Sequence, residues 1–243
     1  MRTTLKKILD TFFHPLGLNI ERYFGEELAL KDLIELAQKN QIDLLLDVGA
    51  NTGQFAKKIR RLGFNEEIVS FEPLTSAYSE LVKNARNDSR WKVYDQCAIG
   101  DFDGEIEINV SANSHSSSIL NVSKVHLDAA PSAAYMAKEK VSIKKLDTVA
   151  PKLAGNRILL KIDTQGFEDK VLSGAKEKML QRVKIIQLEM SLLPLYENAM
   201  LFPQMLQLLS DLGYEPVFYS PGYTNRTNEH IQQVEGYFIK KPK

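Results

Sequence analysis

The stretch LLLDVGANTGQFAKKI, Leu44 to Ile59, sets a strongly apolar run directly against a loop of glycines and short polar residues. The run reads as a strand covered on both faces. The stripe Phe55–Ile59–Leu62 after it has helical spacing. Between them stand Asp47, Gly49, Asn51 and Gly53, more than a plain turn needs. The glycines let the backbone approach a ligand closely and turn tightly into the next helix. Asp47 and Asn51 are short enough to fix the loop or to reach polar atoms of that ligand. Nineteen residues after Gly53, Glu72 closes a second strand-like run in VSFEP, where a carboxylate can accept both hydroxyls of a ribose. The plain alternative is a bare turn with Glu72 solvated; the position of the acid favours a nucleoside site.

Outward from this stretch the chain alternates. IDLLLDV (42–48), EEIVSFE (66–72), RILLKID (157–163) and VKIIQLEM (183–190) are short and nearly continuously apolar. Helical stripes lie between them at Phe55–Ile59–Leu62, Ala77–Leu81–Ala85 and Val171–Ala175–Met179. Such alternation predicts right-handed crossovers and a doubly wound, mostly parallel α/β sheet, with ligands beyond the carboxyl ends of its strands. Leu206–Leu209–Leu212 predicts a helix stopping at Gly213, and YEPVFYS and QVEGYFIK then predict an antiparallel pair at one sheet edge. The N-terminal forty residues read as a helical appendage. Leu5, Ile8, Leu9, Phe12 and Phe13 share one face, ended by Pro15, and Leu30, Leu33, Ile34 and Ala37 share a second. Residues 41–243 then form the main domain. Within it, residues 104–146 break the alternation: EIEINV and VSIKKL, both of period two, flank a long Ser/Asn/Ala-rich connection. A connection of that length is usually functional or disordered, and it is expected to cross the mouth of the sheet.

Composition narrows the function. Thirty-one basic and thirty-one acidic residues cancel, so no global charge draws the chain to nucleic acid. The single Cys97 excludes an internal disulfide framework and a multi-cysteine metal site, and suits a reducing cytoplasm. No His/Asp cluster has metal-ligand spacing, so no metal is expected. No apolar run approaches the roughly 18–20 residues of a spanning helix, and MRTTLKKILDTFFHPLG lacks the core and cleavage site of a signal peptide. The sequons at Asn87, Asn109, Asn121 and Asn225 are therefore expected to stay unmodified. Arg2, Lys6 and Lys7 beside the first apolar stripe allow a weak peripheral membrane contact through residues 1–13, with packing on the domain or on a sister subunit as the favoured reading.

The loop D-x-G-x-N-x-G lacks the third glycine of a pyrophosphate fingerprint, and no Walker lysine is present. A nucleoside without phosphates suits it better, and S-adenosylmethionine is the common one. DVGANTGQF, FEP, CAIGDFDGEIEI, SSSIL, VSIKKLDT, LLKIDTQGFEDKVLSGA and QLEMSLLPLY occur in an order and spacing that resembles the FkbM-type methyltransferases over roughly residues 42–240. The resemblance implies a class I methyltransferase fold, a seven-stranded sheet with one antiparallel strand. It also implies O-methylation of a sugar, glycan or natural-product hydroxyl. It places Asp47, Gly49, Asn51 and Gly53 along the methionine part of the donor, Glu72 on the ribose, and Cys97 and Ala98 against the adenine. One departure stands out: many members carry an acid where this chain has Gln165, so that position cannot serve as a base or hard-metal ligand.

Methyl transfer to an aliphatic hydroxyl needs in-line positioning and the help of a base or a metal. Asp163, ending the fourth strand-like run, is a candidate base or orienting group, or else a cofactor contact or helix cap. Glu189, ending the fifth, is the next carboxylate along that rim, or else part of an ion pair with Lys161. His115 in the Ser-rich connection titrates near neutrality and is a third candidate. Glu168 begins a helix, where dipole stabilisation alone accounts for an acid. Ser116, Ser117 and Ser118 can hydrogen-bond a polyol or simply form loop; His14, His126 and His230 have no partner constellation. The competing functions are a dinucleotide-dependent oxidoreductase on a similar sheet and a non-catalytic module that binds a nucleoside or partner. Acceptor identity and oligomeric state are not legible.

Overall fold

A computed structural model of the chain describes residues 25–111, 117–123, 127, 134–224 and 230–242. The first expected helix, Leu5 to Phe13, lies outside these residues. In chain order the elements are α1 (Gly25–Lys39), β1 (Leu44–Val48), α2 (Gln54–Arg61), β2 (Glu67–Phe71), α3 (Thr75–Ala85), β3 (Trp91–Val93), β4 (Ala98–Ile99), β5 (Gly104–Ser111) and β6 (Tyr135–Lys144). There follow α4 (Leu146–Val149), β7 (Ile158–Ile162), α5 (Glu168–Ser173), α6 (Met179–Arg182), β8 (Val183–Ser191), α7 (Phe202–Asp211), β9 (Tyr214–Pro221) and β10 (Gln233–Lys240).

Seven strands form one sheet in the order β3-β2-β1-β7-β8-β10-β9, with β10 antiparallel to both its neighbours. The chain leaves β1 toward β2 and β3, then returns to β7 and β8 on the other side, so the direction of winding switches between β1 and β7. The apolar runs are central because each is covered on both faces. Leu45, Ile68, Leu159 and Ile185 point to one side, where Leu30, Leu33, Ile34 and Ala37 of α1 and Ile59 of α2 bury against them. Leu46, Val48, Leu160 and Ile186 point to the other, under α5 and α7. α1 is therefore part of the domain's core.

One expected helix is divided. The stripe Val171–Ala175–Met179 falls on α5 and α6 rather than on one helix. Gly174 lies so close to another backbone that a Cβ there would stand 1.9 Å from the Gly100 carbonyl oxygen. The Asp147 carboxylate then accepts the N–H groups of Glu177, Lys178 and Met179 at 2.8, 2.9 and 2.7 Å, starting a new turn.

Residues 104–146 contain the antiparallel pair β5 and β6, extended by β4 into a three-stranded sheet. Ile108, Val141 and Ile143 pack from it onto Leu74, Ala98 and Phe167. The returning segment is tied down: Ser118 and Asn109 exchange backbone hydrogen bonds at 2.9 and 3.1 Å, and the Tyr135 hydroxyl donates to the Leu120 carbonyl at 2.6 Å. Among the described residues no helix is long and apolar enough to cross a membrane.

Candidate functional site

At the carboxyl end of the sheet the strands carry two successive rows of polar groups. Strand register aligns Ser70, Asp47, Lys161, Gln187 and Tyr237 across β2, β1, β7, β8 and β10. One step higher stand Asp163, just past β7, and then the cross-strand pair Glu189 and Glu235. Most of the lower row is sealed. Asp47 is fully buried and its Oδ1 lies 3.0 Å from the Lys161 ammonium. Lys161 also donates to the Gly49 carbonyl at 3.1 Å and lies 3.7 Å from Asp163. Burial alone would lower the pKa of this lysine, but the charges of Asp47 and Asp163 outweigh it and hold the group protonated.

Above this floor two clefts meet. The first takes in about 680 Å³ when its open mouth is counted. Its apolar wall is Phe71, Leu74, Ala98 and Ile99; Glu72 and Ser118 are among its polar groups. Glu72 is 5% exposed and accepts the N–H of Asn51 at 2.8 Å and of Leu74 at 3.0 Å. Burial pushes its carboxyl up to about 7, against the opposing pull of those two N–H groups. The second cleft, of about 1,040 Å³, opens over α2 and the β8–β10 pair, bounded by Gln187, Glu189, Glu235 and Lys58. Gly49, Asn51 and Asp163 border both.

The loop after β1 is built by close contact. Gly49 has φ +74° and a Cβ there would stand 1.8 Å from the Asp163 carbonyl oxygen, so the ends of β1 and β7 can touch only if residue 49 has no side chain. Asn51 is also left-handed, at φ 49°, and its side chain accepts the Thr52 N–H at 2.8 Å. Gly53, expected along the cofactor, borders neither cleft: its absent side chain makes room for the Trp91 ring and Leu81. Asp47 likewise borders neither, and fixes the loop from below through Lys161. Ala98 stands in the first cleft beside Cys97, whose thiol burial pushes up to about 11.

Gln165 organises the acidic side. Its backbone is left-handed, at φ 55°, an unfavourable setting held by a hydrogen bond from Ser118 Oγ to its carbonyl at 2.7 Å. Its Nε2 donates to Asp163 at 2.6 Å and to Glu189 at 3.1 Å, and its Oε1 accepts from Tyr196 at 2.7 Å. An acid here would add a further carboxylate beside Asp163, Glu189 and Glu235, whereas the amide donates to two of them, Asp163 and Glu189. This accounts for the departure noted at this position. Glu189 is held by Gln165 and by Gln233, whose Nε2 lies at 2.6 Å, so the expected pairing with Lys161 is replaced by these two amides. Burial, then the charges of Asp163 and Glu235, raises its pKa well above the ordinary value. Burial likewise pushes Glu235 up to about 7. Glu168 turns back to accept the N–H groups of Thr164 and Gly166 at 2.9 and 3.1 Å, fixing the loop after β7.

His115 and Ser116, like His14 and His126, lie outside the described residues. Glu235, Gln187 and the Asp47–Lys161 pair were not anticipated as a group. Lys161 was the available signal: a lone charge within a wholly apolar parallel strand must be paired. Among the described residues no group of three or more His, Cys, Asp or Glu side chains is arranged to hold a metal.

The two clefts meet at the switch point of a doubly wound α/β sheet, where proteins of this class take their ligands. The model of the Methyltransferase FkbM domain matches residues 47–216, and the chain belongs to this family. It is an S-adenosylmethionine-dependent methyltransferase, which sets aside the oxidoreductase and non-catalytic readings. It is 26% identical over 186 residues to the 2-O-methyltransferase NoeI of Sinorhizobium fredii (strain NBRC 101917 / NGR234), covering 74% of this chain and 75% of that one. It is 25% identical over 217 residues to the methyltransferase sdnD of Sordaria araneosa, covering 80% and 82%. Magnesium protoporphyrin IX methyltransferase (ChlM) from Synechocystis PCC 6803 aligns at a TM-score of 0.47 and 8% identity over 97% of each chain.

The first cleft fits the donor. Its apolar wall suits an adenine, Glu72 offers a buried carboxylate for a diol, and the bare backbone at Gly49 leaves room beside Asp163.

Proposed function

We propose that the chain methylates a hydroxyl of a sugar, glycan or natural-product acceptor. The observation that carries this reading is that Asp163 borders both clefts, with Glu189 beside it. In this reading Glu72 receives the ribose hydroxyls, Ala98 flanks the adenine, and Gly49 and Asn51 border the methionine part. S-adenosylmethionine supplies a methyl whose bond to sulfur breaks, the electron pair staying on sulfur, as the acceptor oxygen forms its new bond to carbon. Asp163 orients the acceptor hydroxyl in line and, with Glu189, takes the proton it loses. The 2-O-methyltransferase name of one relative supports oxygen as the acceptor atom. His115 remains a further candidate, and Ile108, Ser117, Ser118 and Ile119 of the 104–146 segment border the first cleft. The test is incubation with methyl-labelled donor and a panel of glycosides, polyols, amines and thiols, followed by mass spectrometry. A product heavier by one methylene, with the spent thioether, is expected; turnover confined to amine or thiol acceptors overturns the reading.

Replacing Glu72 with glutamine is expected to weaken donor binding by about 1–3 kcal/mol, roughly 5- to 150-fold in Kd. Calorimetry with S-adenosylhomocysteine measures it, and an unchanged Kd removes the ribose role. The same group predicts a pH dependence. With its pKa raised to about 7, Glu72 carries a proton below neutrality and must release it to accept two hydroxyls. Affinity should therefore fall by up to about tenfold per unit as pH drops below about 7, and level off above. Titrations in buffers of different ionisation enthalpy should show proton release on binding in the acid limb. A flat profile from pH ~6 to ~8 contradicts the assignment.

A further inference from the structure

The second cleft contains a group that no fold requirement explains. Gln187 is 4% exposed, stands in the lower polar row and borders this cleft. Its Nε2 donates to Glu235 at 3.3 Å, but its Oε1, wholly buried, accepts no hydrogen bond. A buried acceptor without a donor costs roughly 1–3 kcal/mol, so an apolar residue at this position would serve the fold better. Beside it the cleft presents further acceptors, the carboxylates of Glu235, Glu189 and Asp163. Lys161, the buried cation at their base, is engaged by Asp47 and the Gly49 carbonyl.

We propose that this cleft is the acceptor site and that Gln187 and Glu235 determine its specificity, receiving hydroxyls adjacent to the one methylated, so that the acceptor is a vicinal diol or larger polyol. The inference deepens the methyltransferase reading and rests on it. The chemistry follows from the acceptors gathered at one end of the cleft: Gln187 Oε1 and the carboxylates of Glu235, Glu189 and Asp163 are satisfied by a ligand rich in donors, and each neighbouring hydroxyl supplies one. A hydroxyl is favoured over an ammonium because the carboxylates are already offset. Lys161 lies among them, Lys58 borders the cleft, and burial raises the Glu235 carboxyl to about 7 and moves the Glu189 carboxyl upward as well. A monohydroxy ligand would leave Gln187 Oε1 buried and unpaired, and discrimination against a substrate lacking a hydroxyl is strongest when the site's polar groups are then orphaned.

Saturation-transfer NMR on the full chain loaded with S-adenosylhomocysteine tests this. The probes are methyl α-D-glucopyranoside, trans-1,2-cyclohexanediol, cyclohexanol and methyl 2-amino-2-deoxy-glucopyranoside. The glucoside and the diol are expected to receive saturation and cyclohexanol much less. Gln187→Leu and Glu235→Gln should each reduce the glucoside and diol signals at least fivefold while leaving the Kd for S-adenosylhomocysteine within about twofold (a ratio worth less than ~0.5 kcal/mol). Gln187→Glu, which keeps an acceptor oxygen, should retain more signal than Gln187→Leu. The proposal is overturned if no diol receives saturation, if both variants match the parent chain, or if the amino sugar alone responds. Absence of heat on titration with S-adenosylhomocysteine would instead defeat the underlying donor assignment, so the two failures are distinct.

Discussion

Asp163→Asn is expected to lower turnover by about 10²–10⁴-fold, the usual contribution of a positioned base, while changing donor affinity far less. The substitution keeps size and the acceptor oxygen for Gln165, which lies 2.6 Å away, and removes the charge. Asp163 borders both clefts, so the lost charge bears on the hydroxyl that must shed its proton as the methyl arrives. Single-turnover kinetics with the acceptor identified in the panel separates chemistry from binding. An Asp163→Asn chain that turns over within about threefold of the parent, a difference below ~1 kcal/mol, would move the base role to Glu189 or His115.

The largest effect on stability should come from Lys161→Met. Asp47 is fully buried, with this ammonium at 3.0 Å and a long hydrogen bond from Ser70 at 3.4 Å. Removing one member of a buried pair strands the other charge, at a cost of about 3–5 kcal/mol. The Gly49 carbonyl loses its donor as well, so donor binding should weaken in parallel. Guanidinium unfolding measures the loss. The double variant Asp47→Leu with Lys161→Met should recover most of it, because an apolar pair of similar volume can replace a buried ion pair at little cost. A loss below about 1 kcal/mol in the single variant would mean that Asp47 finds another partner or is neutral.

Strand positions, the antiparallel closing pair and the helical stripes were legible because burial on both faces of a parallel sheet imposes continuous apolar runs, and helix packing imposes its own period. The IDLLLDV and RILLKID runs became neighbouring central strands for this reason. Glu72 was legible as a strand-closing carboxylate, and it stands buried at the border of the first cleft. The roles of Asp47 and Gly53 were less so. Both belong to the loop motif, yet one anchors the loop from beneath and the other admits the Trp91 ring, and a motif does not distinguish lining a ligand from holding the wall that lines it. The division of Val171–Ala175–Met179 was hidden for a related reason: the cap comes from Asp147, in another segment of the chain.

By itself, the sequence determined the layered α/β architecture and the nucleoside character of the donor, since these follow from local periodicity and from groups close together in the chain. Tertiary structure alone decided that Ser70, Asp47, Lys161 and Gln187 share one row, and that Glu189 faces Glu235 above it. Those residues are far apart along the chain and meet through strand register, which is set by the packing of the whole sheet. The polar rows at the carboxyl end of the sheet are made of such meetings, so they emerged only with the fold.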